Sequence, residues 1–145
     1  HRLIRRQRQM CIRDRMLDLM RRLQEQFGIG YLFVSHNLNV VKLMADRVAV
    51  MYLGKFIEVG DTKEILNRPA HPYTKALLSA VPTPNPTARQ KRMVLEGEMP
   101  SPLNPPSGCR FHPRCPEAKD VCSEVEPALQ DMGRGHLVAC HFAPR

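Results

Sequence analysis

The stretch Tyr31-Leu32-Phe33-Val34-Ser35-His36-Asn37-Leu38 decides the fold. Its first four residues are a short, continuous apolar run rich in β-formers, the pattern of a strand buried on both faces. Just before it, Met16, Leu19, Met20, Leu23 and Phe27 recur at i, i+3, i+4, i+7 and i+11. That spacing predicts one stripe of an amphipathic helix, with Arg21, Arg22, Gln24 and Glu25 on the other face and Gly28 as its stop. A helix followed by a doubly buried strand is the αβ step of a parallel sheet, and such sheets place their chemistry at the carboxyl ends of strands. Here that end is Ser35-His36.

Downstream, Asn37 can cap a second helix carrying Leu38, Val41 and Ala45 on one side, broadened by Val40, Leu43 and Met44. Residues 48–53 and 56–59 predict two strands joined by a two-residue hairpin turn at Gly54-Lys55. Gly60-Asp61 breaks the second strand, and residues 62–66 start a short helix that ends before Pro69. All 13 prolines lie at or beyond Pro69. A second module is therefore expected to begin there, with a helix at residues 73–80, an extended linker at 83–91 and a strand at 93–95.

The second module ends in a cysteine region. Cys109, Cys115, Cys122 and Cys140 are spaced C-x5-C-x6-C-x17-C among turn-formers and few aliphatics. A segment so poor in core residues needs more than hydrophobic burial to order it, and four thiolates on one metal centre would do that. Disulfides need an oxidising compartment, and nothing in the sequence suggests export. Structural zinc accepts four thiolates, but its ligand pairs are usually two to four residues apart. An iron–sulfur cluster also takes four thiolates, at spacings that vary between families. Spacing alone leaves iron–sulfur and zinc open. Since four cysteines suffice, His112, His136 and His141 read as surface groups or as groups supporting the ligands. Arg110 and Arg114 could offset thiolate charge.

Composition bounds the remaining readings. The chain has 145 residues, 43% of them hydrophobic and 25% charged, a globular balance without an apolar run of membrane-spanning length. Of the net charge of +8, residues 1–15 carry +5, as six arginines against Asp14. A basic patch confined to one terminus argues against a nucleic-acid partner for the whole chain. Within that arm the string MCIRDR resembles translated sequencing-adaptor remnants, so residues 1–15 are expected to be non-native and Cys11 is given no role. The first residue is His1 rather than Met, and a fragment is expected.

His36 is the sharpest single candidate of the first module. At a strand's carboxyl end it can donate a hydrogen bond to a phosphate oxygen. Phosphoryl transfer also needs backbone amides, a lysine, Mg²⁺ ligands and a positioned water. No G-x-x-x-x-G-K-[ST] loop occurs in the sequence, so this polypeptide alone is not expected to hydrolyse ATP.

Residues 31–38 and 45–55 together resemble the final portion of an ABC-transporter nucleotide-binding domain. The continuations His71-Pro72-Tyr73-Thr74-Lys75-Ala76-Leu77-Leu78 and Gly97-Glu98-Met99-Pro100-Ser101-Pro102-Leu103-Asn104-Pro105-Pro106 narrow this. They are similar to the ATP-binding subunits of bacterial dipeptide/oligopeptide importers, from Met16 to the C-terminus. The resemblance implies an α/β fold: residues 16–68 as the C-terminal part of a P-loop nucleotide-binding domain, and 69–145 as a small, proline-rich, irregular extension.

It also implies a role for His36 as the switch histidine that contacts the γ-phosphate of ATP. The family usually has Ser-His-Asp-Leu, and Asn37 here keeps the capping ability of the acid without its charge. Cys109, Cys115, Cys122 and Cys140 match the family's [4Fe–4S] motif. For the full-length parent the resemblance implies ATP and Mg²⁺ as cofactors, and a peripheral position at the cytoplasmic face of the bacterial inner membrane. The implied partners are a second ATP-binding subunit, permease subunits and, indirectly, a peptide-binding protein. The alternative is a stand-alone zinc- or iron-binding interaction module.

Overall fold

The computed structural model describes residues 2–81 and 93–144, so the linker expected at 83–91 lies outside the described residues. The chain divides into two compact units, His1–Met44 and Ala45–Arg145. The change of composition at Pro69 does not coincide with this division, since the residues on both sides of it share the second unit. No helix among the described residues is long and apolar enough to cross a membrane.

The first unit holds α1 (Arg2–Phe27) and α2 (Leu38–Met44). Helix α1 runs through the expected arm into the apolar stripe, with an Asp18–Arg22 pair at 2.9 Å one turn apart. It stops at Gly28, whose φ of +63° lets its N–H reach the Gln24 carbonyl. Asn37 caps α2 as expected, its side-chain oxygen accepting from the Asn39 N–H at 3.1 Å.

The strand expected at 31–34 is not formed: Leu32 is 95% exposed and Val34 98%. A strand is defined by its ladder, and the described residues of this unit contain no other strand to pair with. What remains is local. Tyr31 donates its hydroxyl to the Met20 carbonyl and packs its ring 5.6 Å from Phe33.

The second unit is built on a hairpin, β1 (Arg47–Tyr52) and β2 (Lys55–Asp61), followed by α3 (Thr62–Asn67) and α4 (Pro72–Ser79). After residue 93 come a 3-10 turn at His112–Arg114, α5 (Asp120–Glu124), β3 (Gln130–Asp131) and β4 (Leu137–Val138). The sheet order is β1-β2-β4-β3, antiparallel throughout; its β1–β2 pair is the expected hairpin, and the parallel step expected around residues 31–34 is not formed. The mixed helix–strand architecture is retained.

The hairpin turn sits one residue earlier than expected, at Leu53-Gly54, with φ of +44° and +79°. Both central residues of such a turn need positive φ, and glycine meets that need best at the second position. Residues 93–95 form no strand; Leu95 packs against the core instead. Asp61 caps α3 by accepting from the Lys63 N–H at 2.8 Å, and His71 caps α4 by accepting from the Tyr73 N–H at 3.1 Å.

The core gathers Val50 and Tyr52 from β1, Ile57 from β2, Ile65 from α3 and Phe111 from the cysteine region. Phe111 is its centre, with ring centroids 5.2 Å from Tyr52, 5.5 Å from Tyr73 and 5.6 Å from His71. Edge-on and tilted aromatic contacts of this kind add about 1 kcal/mol each beyond area burial.

Beside this core Glu58 is fully buried, at 0% exposure. Its carboxylate accepts from the Ala70 N–H at 2.8 Å, the His71 N–H at 3.0 Å and His136 Nε2 at 2.7 Å. One side chain thus ties β2 to the start of α4 and to the residue preceding β4. His136, expected at the surface or near the ligands, is instead the buried partner of this carboxylate. An unpaired buried charge is costly, so a glutamate here demands such a partner.

Gly108 marks a second close junction. The Cys109 N–H donates to the Cys122 carbonyl at 2.8 Å, and a Cβ on Gly108 would lie 2.5 Å from that carbonyl oxygen. Its φ of +61° also disfavours any other residue.

Glu58→Gln puts an amide N–H₂ against one of three donors, and should lower unfolding free energy by about 3 kcal/mol in a guanidinium titration. Gly108→Ala should cost about 2–4 kcal/mol by the same measurement, through contact and strain together. Gly133→Ala, at φ +100° but with open space around its Cβ, should cost about half of that or less.

Candidate functional site

The four cysteines reach one place by four local devices. Cys109 follows Gly108 and accepts the His112 N–H on its carbonyl, which starts the 3-10 turn. Cys115 closes that turn, its N–H donating to the His112 carbonyl at 3.2 Å. Cys122 lies inside α5 and is buried. Cys140 is delivered by β4: the Ala139 N–H donates to the Ile57 carbonyl at 2.9 Å, so the sheet itself places the next residue.

All four line a single small pocket, partly open to solvent, together with His71, Pro72, Phe111, His112, Glu117, His141 and Phe142. Among the described residues, no group of three or more His, Cys, Asp or Glu side chains is arranged to hold a metal ion as it stands.

Burial pushes the thiols up, Cys115 to about 11, with Cys109 and Cys140 also raised. Backbone amides pull the other way: those of Phe111 and His112 at Cys109, Glu117 at Cys115 and Phe142 at Cys140. Amides aimed at sulfur favour thiolates once a cation within the cavity offsets the burial. The donor set is thus four sulfurs lining one pocket, three of them supported by backbone amides, a chemistry that suits a thiolate-bound metal centre.

The neighbouring basic groups are placed differently from expectation. Arg110 donates to the Leu53 carbonyl, and Arg114 donates through Nε to the Glu96 carbonyl at 3.4 Å. Neither lines the cavity. They brace the turn and residues 93–97 instead of offsetting thiolate charge. His112 and His141 do line it, and each also faces a carbonyl: His112 Nδ1 lies 2.9 Å from Cys109 O, and His141 Nε2 2.9 Å from Val125 O.

His71 was read only as part of the family-like stretch 71–78, yet it is buried against the cavity. Burial is the main cause that lowers its pKa to about 4; Glu58 opposes this and Lys75 adds to it. Glu58 had no sequence signal beyond a charged residue between two apolar ones in a strand, Ile57 and Val59.

His36 lies in the other unit, exposed, two residues before α2. Its neighbours Ser35 and Asn37 are joined by a hydrogen bond from the Asn37 N–H to Ser35 Oγ at 3.0 Å. An exposed imidazole held by a short loop ahead of a helix is accessible to a ligand supplied from outside.

Comparison with known proteins gives this geometry a context. Residues 57–122 match the family described as oligopeptide/dipeptide transporter, C-terminal region. The dipeptide transport ATP-binding protein DppF of Haemophilus influenzae is 51% identical over 131 residues, covering 90% of this chain and 40% of the relative. A putative peptide import ATP-binding protein of Brucella ovis is 48% identical over 131 residues, with 90% and 41% covered. The oligopeptide transport ATP-binding protein AppF of Bacillus subtilis is 49% identical over 135 residues, with 92% and 41% covered. The chain spans about two fifths of the length of the curated relatives it matches. The matched region takes in most of β2, all of α3 and α4 and three of the four cysteines, and over nine-tenths of its length the chain is similar to dipeptide and oligopeptide transport ATP-binding proteins.

Proposed function

We propose that this chain is the C-terminal part of an ATP-hydrolysing subunit that energises peptide uptake across a bacterial inner membrane. The observation that carries the reading is the near-50% identity to the Haemophilus and Bacillus relatives over nine-tenths of the chain. In that reading residues 16–68 complete a nucleotide-binding domain and 69–145 form its extension. ATP and Mg²⁺ bind in the complete subunit, chiefly through residues upstream of this chain, and His36 contributes a hydrogen bond to the γ-phosphate. The subunit works at the cytoplasmic face of the membrane, beside a second ATP-binding subunit and the permease, with a peptide-binding protein acting through them.

Within the extension, Cys109, Cys115, Cys122 and Cys140 hold a [4Fe–4S] cluster. Their common pocket and the amides directed at three of the sulfurs support a thiolate-bound centre at this place. Such a cluster supplies the cavity with positive charge and cross-links four loops that have little apolar packing of their own. The chain's part is to hold the four thiolates and limit water around them.

Two measurements check these assignments. The chain purified without oxygen should contain iron and acid-labile sulfide and show broad visible absorption; stoichiometric zinc without iron would refute the cluster. Residues 16–145 should be joined to the upstream part of the Haemophilus relative, in place of its own C-terminal part. The chimaera should hydrolyse ATP, and His36→Ala should reduce its kcat on the order of 10²-fold. Unchanged turnover in that variant would remove His36 from the site.

A further inference from the structure

We infer that His71 is a positioning residue of the four-cysteine centre, donating its Nε2–H to a sulfur atom in the cavity. The inference rests on the cluster reading above and adds a residue to it.

Three histidines line the cavity: His71, His112 and His141. A neutral imidazole carries one N–H, and what faces each nitrogen decides which one has it. The His112 Nδ1 and His141 Nε2 atoms each face a backbone carbonyl at 2.9 Å. A carbonyl can only accept, so those nitrogens carry the hydrogens. The remaining nitrogen on each of these rings is a lone pair, with nothing to donate to sulfur.

His71 is the reverse. The Tyr73 backbone N–H donates to its Nδ1 at 3.1 Å, so the hydrogen sits on Nε2. Among the described residues nothing accepts from that Nε2, and the ring borders a cavity whose other polar lining is mainly thiol. The ring is also fixed. Its own backbone N–H donates to buried Glu58 at 3.0 Å, and its face tilts against Phe111 at 5.6 Å. Glu58 and the Tyr73 amide therefore set both the position and the tautomer of the single imidazole donor available to the centre. Hydrogen bonds to sulfur stabilise the more reduced, more negative state of a thiolate-bound cluster and so raise its reduction potential.

The test uses the full chain, labelled with ¹⁵N-histidine, isolated without oxygen and reduced. Pulsed EPR of the wild type should show a weak nitrogen coupling that persists in His112→Asn and is lost in His71→Asn. Asparagine keeps an oxygen to cap α4 but has no ring N–H. His71→Asn should also lower the reduction potential and speed iron loss to a chelator about 10-fold or more. A cluster-bearing wild type without nitrogen coupling overturns the inference while leaving the cluster in place, and does so whether or not the variant folds. Coupling and potential unchanged in His71→Asn overturn it equally. A wild type isolated without iron and sulfide overturns the cluster reading and this inference together.

Discussion

The second unit depends on one buried carboxylate. Glu58 replaces the water it loses with two backbone N–H donors and the His136 imidazole, and those donors come from two separated parts of the chain, residues 70–71 and residue 136. A charge so placed is seldom a net stabiliser relative to an apolar residue of the same shape. Its value lies in specificity. Ala70, His71 and His136 must all arrive for the charge to be tolerated, so alternative packings of the loop before α4 or of the last strand pair leave it stranded.

The same junction makes the cysteine region part of the unit, although its composition suggests an appendage. Phe111 enters the hairpin core against Tyr52 and Tyr73, and β4 extends the sheet by pairing with β2. Cys140 follows that strand, Cys109 is tied to Cys122 through the backbone, and His71 links Glu58 to the cavity wall. Placement of the thiols is therefore inherited from the sheet and from an aromatic core. That explains how a segment with few aliphatics adopts a defined shape around its cavity.

What the sequence revealed follows from how local each signal is. The helix stop at Gly28, the cap at Asn37 and the helices after Asp61 and His71 depend on neighbouring residues, and all were readable. That the four cysteines would gather was also readable from their concentration in a proline-rich, core-poor segment, and they line one pocket. The expected strand at 31–34 failed because a ladder needs a partner that apolar residues do not themselves specify. The hairpin turn moved by one residue since Leu53 accepts positive φ there, against its side-chain preference. Glu58 and His136 were illegible because their pairing spans 78 positions. Nothing in either local window distinguishes a buried carboxylate from a solvated one.

That long span also bears on how the unit forms. The β1–β2 hairpin closes over a two-residue turn, and such local pairing takes microseconds. The carboxylate on β2 can be satisfied by Ala70 and His71 soon afterwards, but its imidazole partner arrives only with the far end of the chain. Closing a loop of that length costs about 4 kcal/mol of chain entropy by the logarithmic rule, and non-local strand pairing slows the final step further. During synthesis, β2 therefore waits with an open edge and a partly satisfied charge until residues 136–139 dock. The cysteine cavity closes in that same late event, so loading of whatever it binds follows the docking of residues 136–140 rather than the folding of the hairpin.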